Sequence, residues 1–502
     1  MRDRLSRSIF WIAWSRVALQ AISFGSTIVV ARLLSPTDYG LMALAGIWTS
    51  VIALLAELGL GAAIVQFQDL DDRELNTCFW MIMAVAVLGY GALFVGTPII
   101  AMWFGSPPLS AILRVTGLAL LLVAVRVVPD SLLRRRLELD RISRAEVVAA
   151  LVTIPAVVGM AWAGAGVWAL VTGALVAPFV QSVVIFSLVR WRPGLEVGGP
   201  RVRDIFRYSL AMLGSRVCWA VYEQADAFVL GKVSGDVSLG FYSMAKQLVL
   251  FPVEKVSGMV NQLAAPVMAE LQLDREGMRA AFLKGVRLVA WVTFPLCIGL
   301  MLVAQDLVQL MLTDKWMTTV PVIRVLGLYA LIRSLAVLLP PVLMAQYRAK
   351  FLFSYNVVLL GIMPVAFWGG AVWGGAVGVA VAWVAVYPIV LASMAREALH
   401  AVGLPWKALC RQLWPPVAAT FAMAVTVLLV RRGISSFGSD LGVGRLTLMV
   451  LIGGAAYCAV LLQCGARVRG EIQEIAGWLF RREHTPSNRR QGENPRLSDG
   501  RA

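Results

Sequence analysis

Arg16 and Arg216 each interrupt an apolar run long enough to cross a bilayer. A charged side chain at mid-membrane costs about 2.5–3.5 kcal/mol on an insertion scale, so it is expected to face water or a partner. From Arg16, the residues Gln20, Ser23 and Thr27 follow at i+4, i+7 and i+11, which makes one polar stripe along a helix. Arg216 is followed by Glu223, Gln224 and Asp226. At roughly 100° per residue, Glu223 lies about 20° from Arg216 around the helix and Asp226 about 80°. A guanidinium fork can make paired hydrogen bonds to phosphate oxygens. Two such stripes facing each other would line a wet, basic passage for an anionic group. The alternative is an internal ion pair, with Arg216 held by Glu223 or by a facing carboxylate. The spacing leaves both open.

Arg333, Lys246 and Lys255 are further candidates for the wall of that passage. Glu223, Asp226, Glu254 and Asp306 are candidates for carrying a proton or sodium ion, because buried carboxylates can hold charge reversibly. Glu254 and Lys255 are sequence neighbours and point in different directions, so they are not expected to pair with each other. Arg114 and Arg126 lie near helix ends and are expected to snorkel. Arg32 and Lys232 read as interface anchors, and Glu57 as the partner of a basic loop. Pro155, Pro178, Pro252, Pro295 and Pro364 fall within predicted helices, where each favours a kink.

Catalytic and metal chemistry find no such support. The two histidines, His400 and His484, stand far apart, and the six cysteines show no CxxC spacing. No GxxxxGK[ST] string is present. No catalytic residue, metal ligand or cofactor is expected, and the chain does not read as an enzyme.

These residues need a scaffold of membrane helices. Of 502 residues, 59% are apolar and 15% charged, and the mean hydropathy is +0.77. Soluble domains run about 25% charged. The composition excludes a soluble enzyme, a disordered chain and a disulfide scaffold. Runs of about 20 residues or more point to helices rather than barrel strands. About fourteen spans are predicted, near 8–34, 40–65, 76–104, 109–130, 144–164, 166–190, 205–231, 237–268, 283–312, 320–346, 350–372, 375–400, 410–431 and 446–465. The first run is too long for a secretory signal and is expected to be retained.

With the amino terminus placed inside, cytoplasmic segments carry 31 Lys and Arg against five in outside loops. This agrees with the preference of basic residues for the cytoplasmic face. Both termini are expected inside, and the net charge of +16 reflects topology and anionic lipid rather than nucleic acid. After 466, an amphipathic stretch with Ile472, Ile475 and Leu479 leads into a polar tail expected to be disordered.

Sliding the chain by 200 residues superposes Ser15-Arg16-Val17 on Ser215-Arg216-Val217, Arg32 on Lys232, Gly40 on Gly240 and Ala45 on Ala245. An offset of six spans preserves orientation, so parallel repeats are predicted. Residues 1–204 and 205–400 would form two six-helix bundles, 401–466 two appended spans, and 467–502 a basic tail. Transporters of this build place the substrate path between the halves.

The segment Ala31-Arg32-Leu33-Leu34-Ser35-Pro36-Thr37-Asp38-Tyr39-Gly40 resembles the polysaccharide transporter family. So do Glu57-Leu58-Gly59-Leu60-Gly61-Ala62-Ala63 and Leu239-Gly240-Phe241-Tyr242-Ser243-Met244-Ala245. These are the Wzx-type oligosaccharide flippases of the multidrug/oligosaccharidyl-lipid/polysaccharide exporter superfamily. The resemblance covers roughly residues 8–400. It implies an all-α bundle in a bacterial cytoplasmic membrane that moves an oligosaccharide linked to an isoprenoid diphosphate by alternating access. The partners it implies are that lipid-linked glycan, membrane lipids, and a polysaccharide polymerase with its chain-length machinery. An exporter of drugs or small metabolites would share the fold. A glycan-modifying enzyme would need a larger outside loop than any predicted here.

Overall fold

The computed structural model describes residues 22–57, 59–67, 69–436 and 442–463. Every regular element among them is helical. The first helices are α1 (Ile22–Leu33), α2 (Pro36–Glu57), α3 (Leu60–Gln66), α4 (Asp72–Phe104), α5 (Pro108–Thr116), α6 (Leu118–Arg135), α7 (Leu139–Trp162) and α8 (Val167–Leu188). Next come α9 (Val202–Glu270), α10 (Arg275–Met311), α11 (Thr319–Ala336), α12 (Leu339–Ala345), α13 (Ala349–Val402), α14 (Trp406–Ser436) and α15 (Gly442–Gln463). Ten of the helical segments are long and apolar enough to cross a membrane. The expected figure of about fourteen differs through α1, whose described part is short, α9, which is not among the ten, and α13, counted once.

Both long helices are hairpins. A straight α9 would hold Asp226 and Lys246 about 30 Å apart at 1.5 Å per residue, yet their side chains meet at 2.6 Å. The reversal is at Gly235, whose φ of 78° and ψ of 177° suit a residue without Cβ. In α13 the reversal is at Gly374 and Gly375, and the rings of Phe367 and Trp383 on the two arms lie 4.8 Å apart. The predicted prolines, by contrast, all sit inside continuous helix. The breaks come at glycine because the turns between adjacent spans are only one or two residues long.

The α9 hairpin is the hub, with α2, α11 and α13 packed along it. One core runs through these helices and α10, and a second joins α3, α4, α6 and the start of α9. A third seats the α14–α15 pair on α10. The segment 190–201 is strapped to the start of α4. Asn76 accepts from the Gly194 amide at 3.0 Å, Trp80 donates to its carbonyl at 2.9 Å, and Arg73 pairs with Glu196 at 2.9 Å.

One end of the bundle is sealed by contacts that the 200-residue offset exchanges. Ser35 caps α2, accepting from the Asp38 amide at 3.3 Å while Asp38 accepts from the Ser35 amide at 2.8 Å. Pro36 takes the first helical position, where its missing N–H is harmless. The start of α2 then crosses the second arm of α9 so closely that a Cβ on Gly40 would strike the carbonyl of Asp236. Reciprocally, a Cβ on Gly240 would strike the carbonyl of Pro36.

Around this crossing, basic residues cap the ends of helices far away along the chain. Arg32 donates to the carbonyls of Met311, at 2.7 Å, and Leu310. Lys315 and Trp316 donate back to Arg32 and Ala31 at 2.6 and 2.9 Å. Lys232, the offset counterpart of Arg32, caps the Trp103 carbonyl near the end of α4. Arg32 and Lys232 therefore cap distant helix ends rather than serving as interface anchors, because unsatisfied carbonyls and the negative helix end attract cations.

Gly240→Ala should force these backbones apart, lowering the melting temperature in detergent and abolishing activity. Gly96→Ala, where an added Cβ meets nothing within 4 Å, should be neutral or slightly stabilising. Equal behaviour of the two variants would contradict the tight crossing.

Candidate functional site

A cavity of about 540 Å³ lies between α2 and the two arms of α9. Ala43 and Gly46 supply one wall, Glu223 and Gln224 a second, and Lys246, Gln247, Phe251 and Glu254 the third. The hairpin at Gly235 brings the second and third walls together. Among the described residues, the charged lining side chains are one lysine and two glutamates. The basic passage expected from sequence is absent in this part of the wall, because most candidate cations are paired or placed elsewhere.

Behind the wall, Asp226 is fully buried. One of its carboxylate oxygens accepts from Lys246 at 2.6 Å, Tyr242 at 2.7 Å and Trp383 at 3.1 Å. A buried carboxylate needs such donors, since leaving it unpaired costs several kcal/mol. Lys246 thereby points its ammonium at the edge of the cavity while its charge is balanced from behind. Arg333 donates to Glu223 at 2.7 Å and to the Tyr329 hydroxyl at 2.8 Å. The rings of Tyr329 and Trp383 lie 4.4 Å apart, so the two ion pairs share one aromatic wall. The second oxygen of Glu223 is buried without a hydrogen-bond partner among the described residues.

The remaining candidates fall in different places. Arg16 and Gln20 lie outside the described residues. Arg216 does not pair with Glu223. Its nearest carboxylate is Glu57, at 3.5 Å, and the pair is well exposed, so it contributes at most about 1 kcal/mol. Arg216 lines a second polar cavity of about 680 Å³ with Arg126, Asp130, Arg134 and Glu146. Arg126 bonds Gln181 there, and Arg114 bonds Thr97 at 3.0 Å rather than snorkelling. Lys255 is exposed, its ammonium 5.6 Å from the centre of the Phe251 ring. Asp306 clasps α10 to the α14–α15 pair, 3.4 Å from Arg445 and 4.0 Å from Arg431.

The sequence reading missed Tyr242, Tyr329 and Trp383. Their signal is polar-edged aromatics inside apolar spans, which seek a partner when buried. Among the described residues, no group of three or more His, Cys, Asp or Glu could hold a metal ion.

The model of the family described as "Polysaccharide biosynthesis protein" matches residues 29–321, more than half of the chain. The chain belongs to that family. The chain is 23% identical over 92% of its length to the teichuronic acid biosynthesis protein TuaB of Bacillus subtilis (strain 168), covering 96% of that relative. It is 24% identical over 64% of its length to the succinoglycan biosynthesis transport protein ExoT of Rhizobium meliloti (strain 1021), covering 66% of it. Its fold is similar to that of the lipid II flippase MurJ in an inward closed conformation. The TM-score is 0.70 at 12% identity, over 90% of this chain and 98% of that one.

Asp226→Leu should strand Lys246, and Lys246→Met should strand Asp226, each at a cost of roughly 3–5 kcal/mol. Both would appear as lowered melting temperatures. The double variant should recover most of the loss, and simple additivity would refute the coupling.

Proposed function

We propose that this family member moves an oligosaccharide linked to an isoprenoid diphosphate across the bacterial cytoplasmic membrane for surface polysaccharide synthesis. The observation that carries this reading is the meeting, at Phe251, of two unlike chambers inside a helical bundle. On one side is the ionic cavity holding Lys246. On the other is an apolar groove of about 510 Å³ between α9, α10, α14 and α15, lined by residues such as Leu248, Leu296, Leu300, Met423 and Met449. A lipid diphosphate has this polarity, an ionic head joined to a long hydrocarbon chain. The family, the ExoT name and the flippase fold support the same reading.

In this reading Lys246 contacts the diphosphate, with Arg333 and Asp226 setting the charge behind it. Arg16, Gln20, Arg216 and Lys255 belong to other stages of the path. Two glutamates repel an anion, so a cation entering with the headgroup would be held at Glu223, whose second carboxylate oxygen has no hydrogen-bond partner among the described residues. Asp226 already holds three donors and Asp306 faces two arginines, so both serve structure.

The bundle comprises fourteen crossings, with α9 and α13 crossing twice each. Residues 1–204 and 205–400 form two halves that rock about the cavity, and 401–466 form the appended pair. Both termini lie in the cytoplasm, and the sealed Gly40–Gly240 end faces outward. A polymerase with its chain-length machinery would receive the exported glycan. The chain translocates its substrate and makes or breaks no bond in it.

The lining of two glutamates and one lysine favours a second reading, export of a cationic small molecule. Deletion of the gene decides between them. The first reading expects lipid-linked glycan to accumulate on the inner leaflet and surface polysaccharide to fall, with restoration by the wild-type chain. Lys246→Met at equal abundance should restore less than about a tenth, as expected for loss of a charge-assisted contact. Unchanged glycan with heightened sensitivity to cationic drugs would select the second reading.

A further inference from the structure

A third chamber, of about 380 Å³, adjoins the ionic cavity, and Ala43, Ser243 and Gln247 line both. Its polar lining differs in kind from that of its neighbour. Ser23, Ser26 and Thr27 of α1, Thr153 of α7 and the shared Ser243 and Gln247 are all uncharged. No charged side chain is among the lining residues described. The volume falls within the range of about 300–1,000 Å³ typical of small-molecule sites.

Thr153 sets this chamber apart from ordinary helix packing. Helical threonines commonly return their hydroxyl to the carbonyl four residues back. Thr27, Thr49, Thr172 and Thr293 do so, at 2.9–3.0 Å from Ser23, Ala45, Trp168 and Val289. Thr153 does not, and its buried Oγ1 has no hydrogen-bond partner among the described residues. A buried hydroxyl left unsatisfied is costly. At the wall of a chamber lined by hydroxyls among apolar side chains such as Val30, Met42, Val157 and Leu170, it leaves a bond for a ligand to supply.

We propose that this chamber binds the first sugars of the carried glycan, an uncharged polyhydroxylated ligand, one helical turn from the diphosphate at Lys246. The proposal rests on the lipid-linked substrate argued above and adds the site of its sugar. Hydroxyl and amide side chains can each donate and accept, which suits sugar hydroxyls of either demand. The order of the chambers also matches the order of bonds in the substrate. Hydrocarbon meets diphosphate at Phe251, and diphosphate meets sugar at Ser243 and Gln247.

The test compares two probes on the purified full chain in lipid nanodiscs. One is the lipid-linked glycan extracted from a deletion strain, and the other is the sugar-free isoprenyl diphosphate released from the same extract. The double variant Thr153→Val/Ser26→Ala should weaken binding of the glycosylated probe about fivefold or more, as expected for two hydrogen bonds. It should leave the sugar-free probe unchanged. Thr153→Ser, which keeps the hydroxyl, should bind both probes as the wild type does, and Lys246→Met should weaken both. Equal weakening of the two probes by the double variant, or no weakening of either, overturns the sugar site while leaving the lipid-linked substrate standing. A wild-type chain that binds neither probe overturns that substrate reading, and the sugar site with it.

Discussion

Charge inside oil must be paired, and the organisation of α9 follows from that. Asp226 and Lys246 lie on opposite arms of one hairpin, and neither is tolerable alone in a bundle surrounded by hydrocarbon. Their pairing requires the chain to reverse between them, and Gly235 permits the reversal. Once closed, the hairpin offers Glu223 on one arm and Lys246 on the other to a single cavity. Tyr242 and Trp383 complete the shell and tie α13 to the hub. The same bonds that make the charges affordable thus decide where the cavity lies.

The sealed end obeys a related rule about helix termini. α1 and α10 finish near one another, each exposing carbonyls without intrahelical partners. Arg32 and the Lys315–Trp316 turn satisfy them between helices nearly 300 residues apart in sequence, and Lys232 does the same for α4. Opening this end would expose several carbonyls at once, and the Gly40–Gly240 crossing would separate with them. The polar contacts can re-form after water has entered, but Trp316, wholly buried against the rings of Tyr39 and Phe241, has to part with them.

Hydropathy made most helices legible, and α4, α7 and α8 lie within about five residues of the predicted spans, while α10 begins eight residues before its predicted start. Their long apolar stretches carry that information locally. Partner choice was not legible in the same way. The spacing put Arg216 and Glu223 on one helical face, yet Arg216 faces Glu57 and Glu223 takes Arg333 from α11. A helical wheel reports which residues share a face but not which neighbour packs against it. Arg32 and Lys232 misled for the same reason, since a basic residue at a span end looks alike whether it meets lipid headgroups or a foreign helix terminus. Ser23 and Thr27 of the first polar stripe do line a cavity, while Arg16 and Gln20, which head that stripe, lie outside the described residues.

A transporter must release what it binds, which gives the mixed lining a purpose. A chamber walled only by arginine and lysine would hold a diphosphate strongly, since charge-assisted bonds gain strength where water is scarce. Conduction through a protein requires sites favourable enough to enter and weak enough to leave. In the proposed reading, Lys246, balanced from behind by Asp226 and faced by Glu223 and Glu254, answers both demands. On the same reading, a cation held beside the glutamates would favour the headgroup and its departure would favour release, so the carboxylates are the adjustable part of the site and the lysine its fixed point.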